Sequence, residues 1–167
     1  EPIPQDLRYH AFADTRTILD IPNFYDVISN IPFAIVGLLG LRQIYIQRSN
    51  KNIWSWLILF LSIILVSAGS SYYHLNPNNQ SLTWDRLPMA IGFMALFAIV
   101  IGDYIYSKLE QWLLVPMCVL GIFSVLYWNI TDDLRIYAWV QFFSSGLLLI
   151  VITLYKPNTY KTKYLII

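Results

Sequence analysis

The sequence has few charged residues and almost no net charge. Only 13% of its 167 residues are charged, and the formal net charge at pH 7 is +1. Such a chain has no basic surface that would attract nucleic acid, so nucleic-acid binding is excluded as its main function. The single cysteine, Cys118, can neither form an internal disulfide nor build a thiolate metal site alone.

Most of the sequence is apolar. Hydrophobic residues make up 57% of the chain, a composition typical of a bilayer protein rather than a soluble domain. Several apolar stretches approach the roughly 20 residues that a helix needs to cross a membrane. Because they lack the strict alternation of barrel strands, the sequence predicts an all-α, polytopic transmembrane helix bundle. Five spans are expected, at Phe24 to Ile46, Ile53 to Tyr73, Leu87 to Tyr106, Gln111 to Ile130 and Ile136 to Tyr155.

The connections between these stretches are short, so we expect residues 24–167 to form one bundle domain. Residues 1–23 are polar, contain proline and are too irregular to span, and we expect them to fold as a cap over one end of the bundle. The chain begins without methionine and stops on the apolar segment "YLII". We therefore expect it to be a portion of a longer protein, or to have lost a leading segment.

Basic residues predict the orientation, because loops rich in lysine and arginine stay in the cytoplasm. They cluster between the first two spans and after the fifth, at Arg42, Arg48, Lys51, Lys156, Lys161 and Lys163. The cap and the loops that follow the second and fourth spans should then be extracytoplasmic. Tryptophans near the ends of spans fit interfacial belts: Trp54, Trp56, Trp84, Trp112 and Trp128.

Three polar side chains gather near this outer rim. Ser70 and His74 are four residues apart at the end of the second span, so they lie on one helix face. Asp85 precedes the predicted third span, and a helix hairpin would bring it towards His74. In a first helical turn its carboxylate would also be favoured by the helix dipole.

This cluster allows two interpretations. A neutral imidazole is the commonest zinc ligand, and a neighbouring carboxylate and hydroxyl can activate water. Alternatively His74 is a solvated interfacial histidine and Asp85 pairs with Arg86. A catalytic zinc needs about three protein ligands, and the only other histidine is His10, in the cap. Ser67 and Gly69 are small residues that favour close helix packing.

Other polar residues also have two interpretations. Asp26 and Asn30 share a helix face and either line the same cavity or, for Asp26, cap the helix start. Asp14 and Asp20 in the cap are candidate ligands for a hard cation such as calcium, but Arg16 between them favours a local salt bridge. Asp103 is expected to be a solvated helix end.

The motifs "FADTR", "VISNIPF", "GSSYYH" and "WDRLPM", in this order, resemble the alkaline ceramidase family, and most of all its bacterial members. That family lies within the CREST superfamily of seven-helix membrane hydrolases, which also includes the adiponectin receptors. The resemblance implies that His74 is a zinc ligand, that Asp85 orients or deprotonates the water on the zinc, and that Ser70 supports the metal site or the oxyanion. It also implies hydrolysis of a ceramide-like lipid to a fatty acid and a sphingoid base, in a bacterial inner membrane.

Two departures from the family pattern matter. The family completes its zinc shell with a His-x-x-x-His pair in the last helix, which this sequence does not contain. Either helices six and seven are absent from the sequence, or the protein is short and catalytically inactive. Asn23 stands where eukaryotic members have a calcium-binding glutamate, so calcium binding is doubtful, with Asp14 as its best remaining candidate.

The second hypothesis from the sequence is a noncatalytic membrane subunit or receptor-like protein that keeps the fold to bind lipid or a partner complex. Extending the sequence past Ile167 distinguishes the two, because two histidines four residues apart in an apolar helix favour the enzyme. A transporter is disfavoured, since the sequence shows no charged or interrupted helix near the midplane.

Overall fold

A computed structural model describes residues 1–46 and 53–157 of the chain. In these ranges the protein is all-helical, as predicted, with the helices Phe24–Ile28 (α1), Ile31–Ile46 (α2), Ile53–Leu75 (α3), Asn79–Tyr104 (α4), Ser107–Thr131 (α5) and Arg135–Leu154 (α6). Within the described residues, five spans are long and apolar enough to cross a membrane, with α1 and α2 together forming the first. The predicted cytoplasmic charges at Arg48, Lys51, Lys161 and Lys163 lie outside the described residues.

Helix α4 is the centre of the bundle. It packs between α3 and α5 and also contacts α6, whereas α2 packs on the outer side of α3. In α4, 72% of the membrane-length window is buried, against 33% or less in the other spans. The outer faces of α2, α5 and α6 keep large apolar side chains exposed, as expected for surfaces that meet lipid.

The first span is a broken helix rather than the single helix that was predicted. Pro32 lacks an amide proton and cannot complete the hydrogen bond across the break at Ser29 and Asn30. Polar side chains replace the missing bonds: the Asn30 amide nitrogen donates to the Asp26 carbonyl at 3.0 Å, and the Ser67 hydroxyl donates to the Asn30 carbonyl at 2.7 Å. Asn30 therefore joins α1, α2 and α3.

Helix α4 begins eight residues before the predicted start at Leu87. The Asn78 side chain accepts from the Ser81 backbone amide at 2.9 Å, and the Ser81 hydroxyl accepts from the Asn78 amide at 3.2 Å. This capping box starts the helix at Asn79. Asp85 consequently lies in the second turn, beyond the reach of the first-turn dipole effect that the sequence predicted for it.

The N-terminal segment lies on the same end of the bundle as the α3–α4 and α5–α6 connections. The backbone of Ile3 accepts from the Leu134 amide at 2.9 Å, and its own amide donates to the Asp133 carboxylate at 3.3 Å. Further along, His10 ends a short 3-10 helix and contacts α3 and α4. The segment thus closes over the end where Ser70, His74 and Asp85 are found.

Candidate active site

A glycine brings α3 and α4 into close contact at the candidate site. A Cβ atom added to Gly69 would lie 2.2 Å from the Trp84 carbonyl oxygen and 3.3 Å from the Asp85 Cα. Pro88, inside α4, has no amide proton to bond the Trp84 carbonyl four residues earlier. Only a residue without a side chain fits against this exposed carbonyl, so Gly69 has the packing role that its small size predicted.

This close approach places Ser70 beside Asp85. The Ser70 side chain is 9% exposed, and its hydroxyl donates a hydrogen bond to the Asp85 carboxylate. His74, one turn further along α3, lies near enough to interact electrostatically with the same carboxylate. The structure therefore brings together the three side chains that the sequence singled out.

In the described part of the chain, one nitrogen of the His74 imidazole has no hydrogen-bond partner. Its Nδ1 atom is buried and has no hydrogen-bond partner among the described residues. The rest of the residue is held in place: the Asn23 amide donates to the His74 carbonyl at 2.7 Å, and the Phe12 ring lies 4.6 Å from the imidazole. A buried polar atom without a partner is costly, and a bound ligand would relieve that cost here.

The second histidine is fully engaged elsewhere. Nδ1 of His10 accepts from the Tyr73 hydroxyl at 2.9 Å, and its Nε2 donates to the Asn79 side-chain oxygen, also at 2.9 Å. With both nitrogens occupied, His10 fastens the cap to the α3–α4 hairpin and is not available to a metal. Across the described ranges, no group of three or more His, Cys, Asp or Glu side chains is arranged to hold a metal ion.

Arg86 does not form the predicted ion pair with Asp85. Its Nη2 donates to the Gln5 side-chain oxygen at 2.7 Å, and its guanidinium carbon lies 4.3 Å from the centre of the Trp128 ring. Trp128 is only 1% exposed, so its assignment to an interfacial belt is wrong, whereas Trp54, Trp84 and Trp112 are exposed as that interpretation requires. The guanidinium is instead part of a buried aromatic cluster next to the site.

The Asp14 carboxylate accepts hydrogen bonds from other protein groups. It accepts from Arg16 Nε at 2.6 Å and from the Tyr25 backbone amide at 2.9 Å. The hydrogen bond from Arg16 lowers the pKa of the Asp14 carboxyl below its usual value, with the Tyr25 amide acting in the same direction. These contacts give Asp14 the local salt bridge that the sequence offered as the alternative to calcium.

Asp103 is not a solvated helix end. Its side chain is 4% exposed, near the end of α4 opposite the site. The neighbouring Gly102 faces Glu110 at the start of α5, where an added Cβ would meet the Glu110 Cβ at 2.5 Å. The tight α4–α5 turn thus draws both acidic residues into the protein, a packing effect that residue types alone do not predict.

An apolar groove of about 290 Å³ runs along α4 from below Asp85 and is bordered by α2 and α3. Asp85, Met89 and Leu96 occupy one face of α4, since residues three or four positions apart on a helix lie side by side. The groove is almost wholly apolar, as a binding site for a hydrocarbon chain would be. Its lining includes Phe33, Ile63, Val66, Met89, Phe93 and Leu96.

Five apolar helices with a polar cluster at one end define an integral membrane protein of the polytopic helical class. The sequence profile of the ceramidase family matches residues 17–164, and the chain belongs to that family. The resemblance seen in the sequence motifs is thereby confirmed. No curated protein and no solved structure matches the chain significantly. Family membership supports ceramide hydrolysis in general, with a lipid substrate, membrane association and the metal dependence that is general in the family.

Several residues that shape the site were not predicted to take part in it. Asn23 was considered only as a replacement for a calcium ligand, yet it fixes the His74 backbone. Gln5 and Trp128 surround Arg86 from distant parts of the chain. Their separation from Arg86 along the chain leaves no local signal. The one usable hint was Arg86 itself, a charged residue in an apolar sequence.

Proposed function

We propose that the protein is a zinc-dependent membrane hydrolase that cleaves the amide bond of ceramide-like lipids. The observation that carries the proposal is the open, buried Nδ1 of His74, next to the hydrogen-bonded Ser70 and Asp85 pair. An apolar groove leads away from this cluster. A polar reacting centre at the head of an apolar slot suits a lipid whose amide lies between its head group and its acyl chain.

The side chains present fit one part of a zinc site. His74 offers one imidazole nitrogen, and Asp85 lies close enough to interact electrostatically with that imidazole and would be available to the metal site. A catalytic zinc commonly has about three protein ligands, so further ligands are required from outside the described residues. When bound, zinc supplies Lewis acidity that polarises a carbonyl and makes water more acidic.

Asp85 acts as the general base in this proposal. Its carboxylate takes a proton from the attacking water as the oxygen adds to the amide carbon, and then returns that proton to the nitrogen as the C–N bond breaks. Ser70 donates its hydroxyl hydrogen to Asp85 and so fixes the carboxylate orientation. The products are a fatty acid, formed from the acyl chain in the groove, and a free sphingoid base.

The second candidate function is a noncatalytic membrane subunit or lipid-binding, receptor-like protein. It is favoured by one observation: in the ranges that the structure describes, His74 is the only histidine with an open nitrogen, since His10 is engaged at both. Such a protein would keep the apolar groove for lipid without an assembled metal shell.

Metal analysis of the purified full-length protein tests the zinc proposal. We expect about one zinc ion per chain in the wild type and its loss in His74→Ala, because that change removes an imidazole ligand. His10→Gln is the matched control: it changes the other histidine, retains hydrogen-bonding capacity and should leave the zinc content unchanged. Equal zinc in the wild type and in His74→Ala would show that His74 is not a ligand.

A further inference from the structure

A second cavity lies on the other side of Asp85. It has a volume of about 340 Å³ and is enclosed by α4, α6 and the N-terminal segment. Unlike the apolar groove, it has polar side chains converging from different elements: Asp85 and Arg86 from α4, and Gln141 from α6. Tyr9 and Tyr137 complete its rim.

Two of these side chains present polar atoms without partners. Arg86 Nη1 and Gln141 Oε1 are both buried, and neither has a hydrogen-bond partner in the part of the chain that the structure describes. Arg86 as a whole is only 8% exposed. Buried polar groups are nearly always satisfied, so an unsatisfied donor and an unsatisfied acceptor lining one cavity point to a ligand that supplies both.

The Arg86 guanidinium is held by side chains from three parts of the chain. Gln5 accepts from Nη2 at 2.7 Å, and the Trp128 and Tyr137 rings lie 4.3 Å and 4.9 Å from the guanidinium carbon. These contacts stabilise the cation within the bundle. They also leave Nη1 without a hydrogen-bond partner among the described residues.

The chemistry of the open atoms selects among ligands. A hydroxyl can accept from Arg86 Nη1 and donate to Gln141 Oε1 at the same time. An oxyanion would satisfy Arg86, but it would be repelled by the Gln141 oxygen and by the Asp85 carboxylate in the same cavity. A neutral hydroxyl is therefore the better match.

We propose that this cavity is the subsite for a hydroxyl of the lipid head group, read by Arg86 and Gln141. The proposal rests on the proposed function, because ceramides carry hydroxyls on carbons close to the amide nitrogen. A head group fixed here would place the amide beside Asp85, which borders both this cavity and the Ser70 and His74 cluster. Arg86 and Gln141 are then specificity-determining residues.

The test compares two lipids: a short-chain ceramide and the analogue that lacks the terminal hydroxyl. Their binding to the full-length protein in detergent is measured by calorimetry, which requires no turnover. We expect the wild type to bind the analogue about tenfold more weakly, the effect of one lost hydrogen bond to a charged group. Gln141→Leu should bind both lipids with similar affinity, because the hydroxyl hydrogen would then be buried without an acceptor, a cost that offsets the remaining bond from Arg86.

Gln111→Leu is the matched control, since it makes the same change at an exposed position in the first turn of α5, far from the cavity. It should keep the tenfold preference. Arg86→Gln is the second variant and should also lose the preference; Gln141→Leu keeps the experiment informative if Arg86→Gln does not fold.

Other results would overturn the proposal. Equal binding of the two lipids by the wild type would mean that water alone fills the cavity, and an unchanged preference in Gln141→Leu would place the hydroxyl elsewhere. Failure of both lipids to bind would also refute the subsite. Displacement of ceramide by inorganic phosphate from the wild type, but not from Arg86→Gln, would identify an oxyanion site instead. If the protein binds ceramide more tightly than the analogue but does not hydrolyse it, the proposed function is refuted and the subsite stands. If it hydrolyses ceramide but binds both lipids equally, the subsite is refuted and the proposed function stands.

Discussion

At the scale of single residues, the carboxylate of Asp85 is the group on which both proposals converge. It accepts the Ser70 hydroxyl, interacts with His74 and borders the polar cavity around Arg86. A charged side chain within a membrane span is costly, and that cost is usually retained for a function. Asp85 lines the polar cavity and lies one helical turn from Met89, which lines both that cavity and the apolar groove. This position suits chemistry on a group held near the point where the two cavities meet.

Replacing Asp85 with asparagine should remove amide cleavage while the fold persists. The asparagine keeps the size and the acceptor for Ser70 but cannot take a proton, so we expect kcat to fall at least about a hundredfold. Hydrolysis of a short-chain ceramide by the purified full-length protein measures this, with thermal unfolding as the check on the fold. Asp26→Asn changes a half-buried carboxylate in the first turn of α1 and should leave the rate unchanged. Undiminished turnover in Asp85→Asn would remove Asp85 from the mechanism.

The sequence was informative about residues whose chemistry is unusual for their surroundings. Ser70, His74 and Asp85 stood out because polar groups are rare in such an apolar chain. Helical spacing predicted that Ser70 and His74 share one face, and a helix hairpin predicted that Asp85 approaches His74. Asn23 and Gln141 did not stand out. Each is an ordinary amide whose role depends on a residue that is distant along the chain. Asn23 donates to the His74 carbonyl, and Gln141 lines the cavity that contains Arg86.

At the scale of helices, the packing of α3 against α4 determines the geometry of the site. Gly69 faces the Trp84 carbonyl that Pro88 leaves without its helical hydrogen bond. This contact lies one residue from Ser70 and one from Asp85. Any change that separates the two helices here also separates the serine from the carboxylate.

Gly69→Ala should therefore damage both stability and activity. The added methyl would lie 2.2 Å from a backbone oxygen, so the helices must move apart, at a cost of about 1–3 kcal/mol. A displacement of about 1 Å at the reacting groups lowers the rate by up to about a hundredfold. Thermal unfolding in detergent and ceramide hydrolysis measure the two effects. Gly146→Ala is the control, because an added Cβ at Gly146 meets nothing within 4 Å; equal behaviour of the two variants would contradict this account.

The positions of the helix ends show where sequence patterns mislead. Apolar runs located all five spans, because membrane helices must be apolar over most of their length. The apolar runs placed the start of α4 too late. The polar residues from Asn79 to Arg86 are also helical, because the Asn78 capping box starts the helix before the apolar run begins. The apolar runs also missed the break before α2, which depends on a proline and on side-chain hydrogen bonds from Asn30 and Ser67.

At the scale of the whole molecule, the N-terminal segment, the polar cavity and the polar loops occupy one end of the bundle. Ile3 joins the segment to the α5–α6 connection, and His10 joins it to α3 and α4. Gln5, from the same segment, holds Arg86. The segment thus supplies a wall of the polar cavity. In the proposed function, a polar head group and water would reach the site from the side of the membrane on which this segment lies.

The distribution of lysine and arginine predicts that this side is extracytoplasmic. The resemblance to bacterial family members implies that the membrane is a bacterial inner membrane. Single cysteines introduced into a Cys118→Ala background test the orientation, because Cys118 is the one cysteine in this 167-residue sequence. Glu1→Cys lies in the exposed start of the N-terminal segment, and Lys156→Cys lies just beyond α6 at the opposite end. A membrane-impermeant maleimide should label the first variant in cells whose outer membrane alone is permeable, and the second only after the inner membrane is opened. The reverse pattern would place the site in the cytoplasm, and the lipid amide would then have to be presented from the inner leaflet.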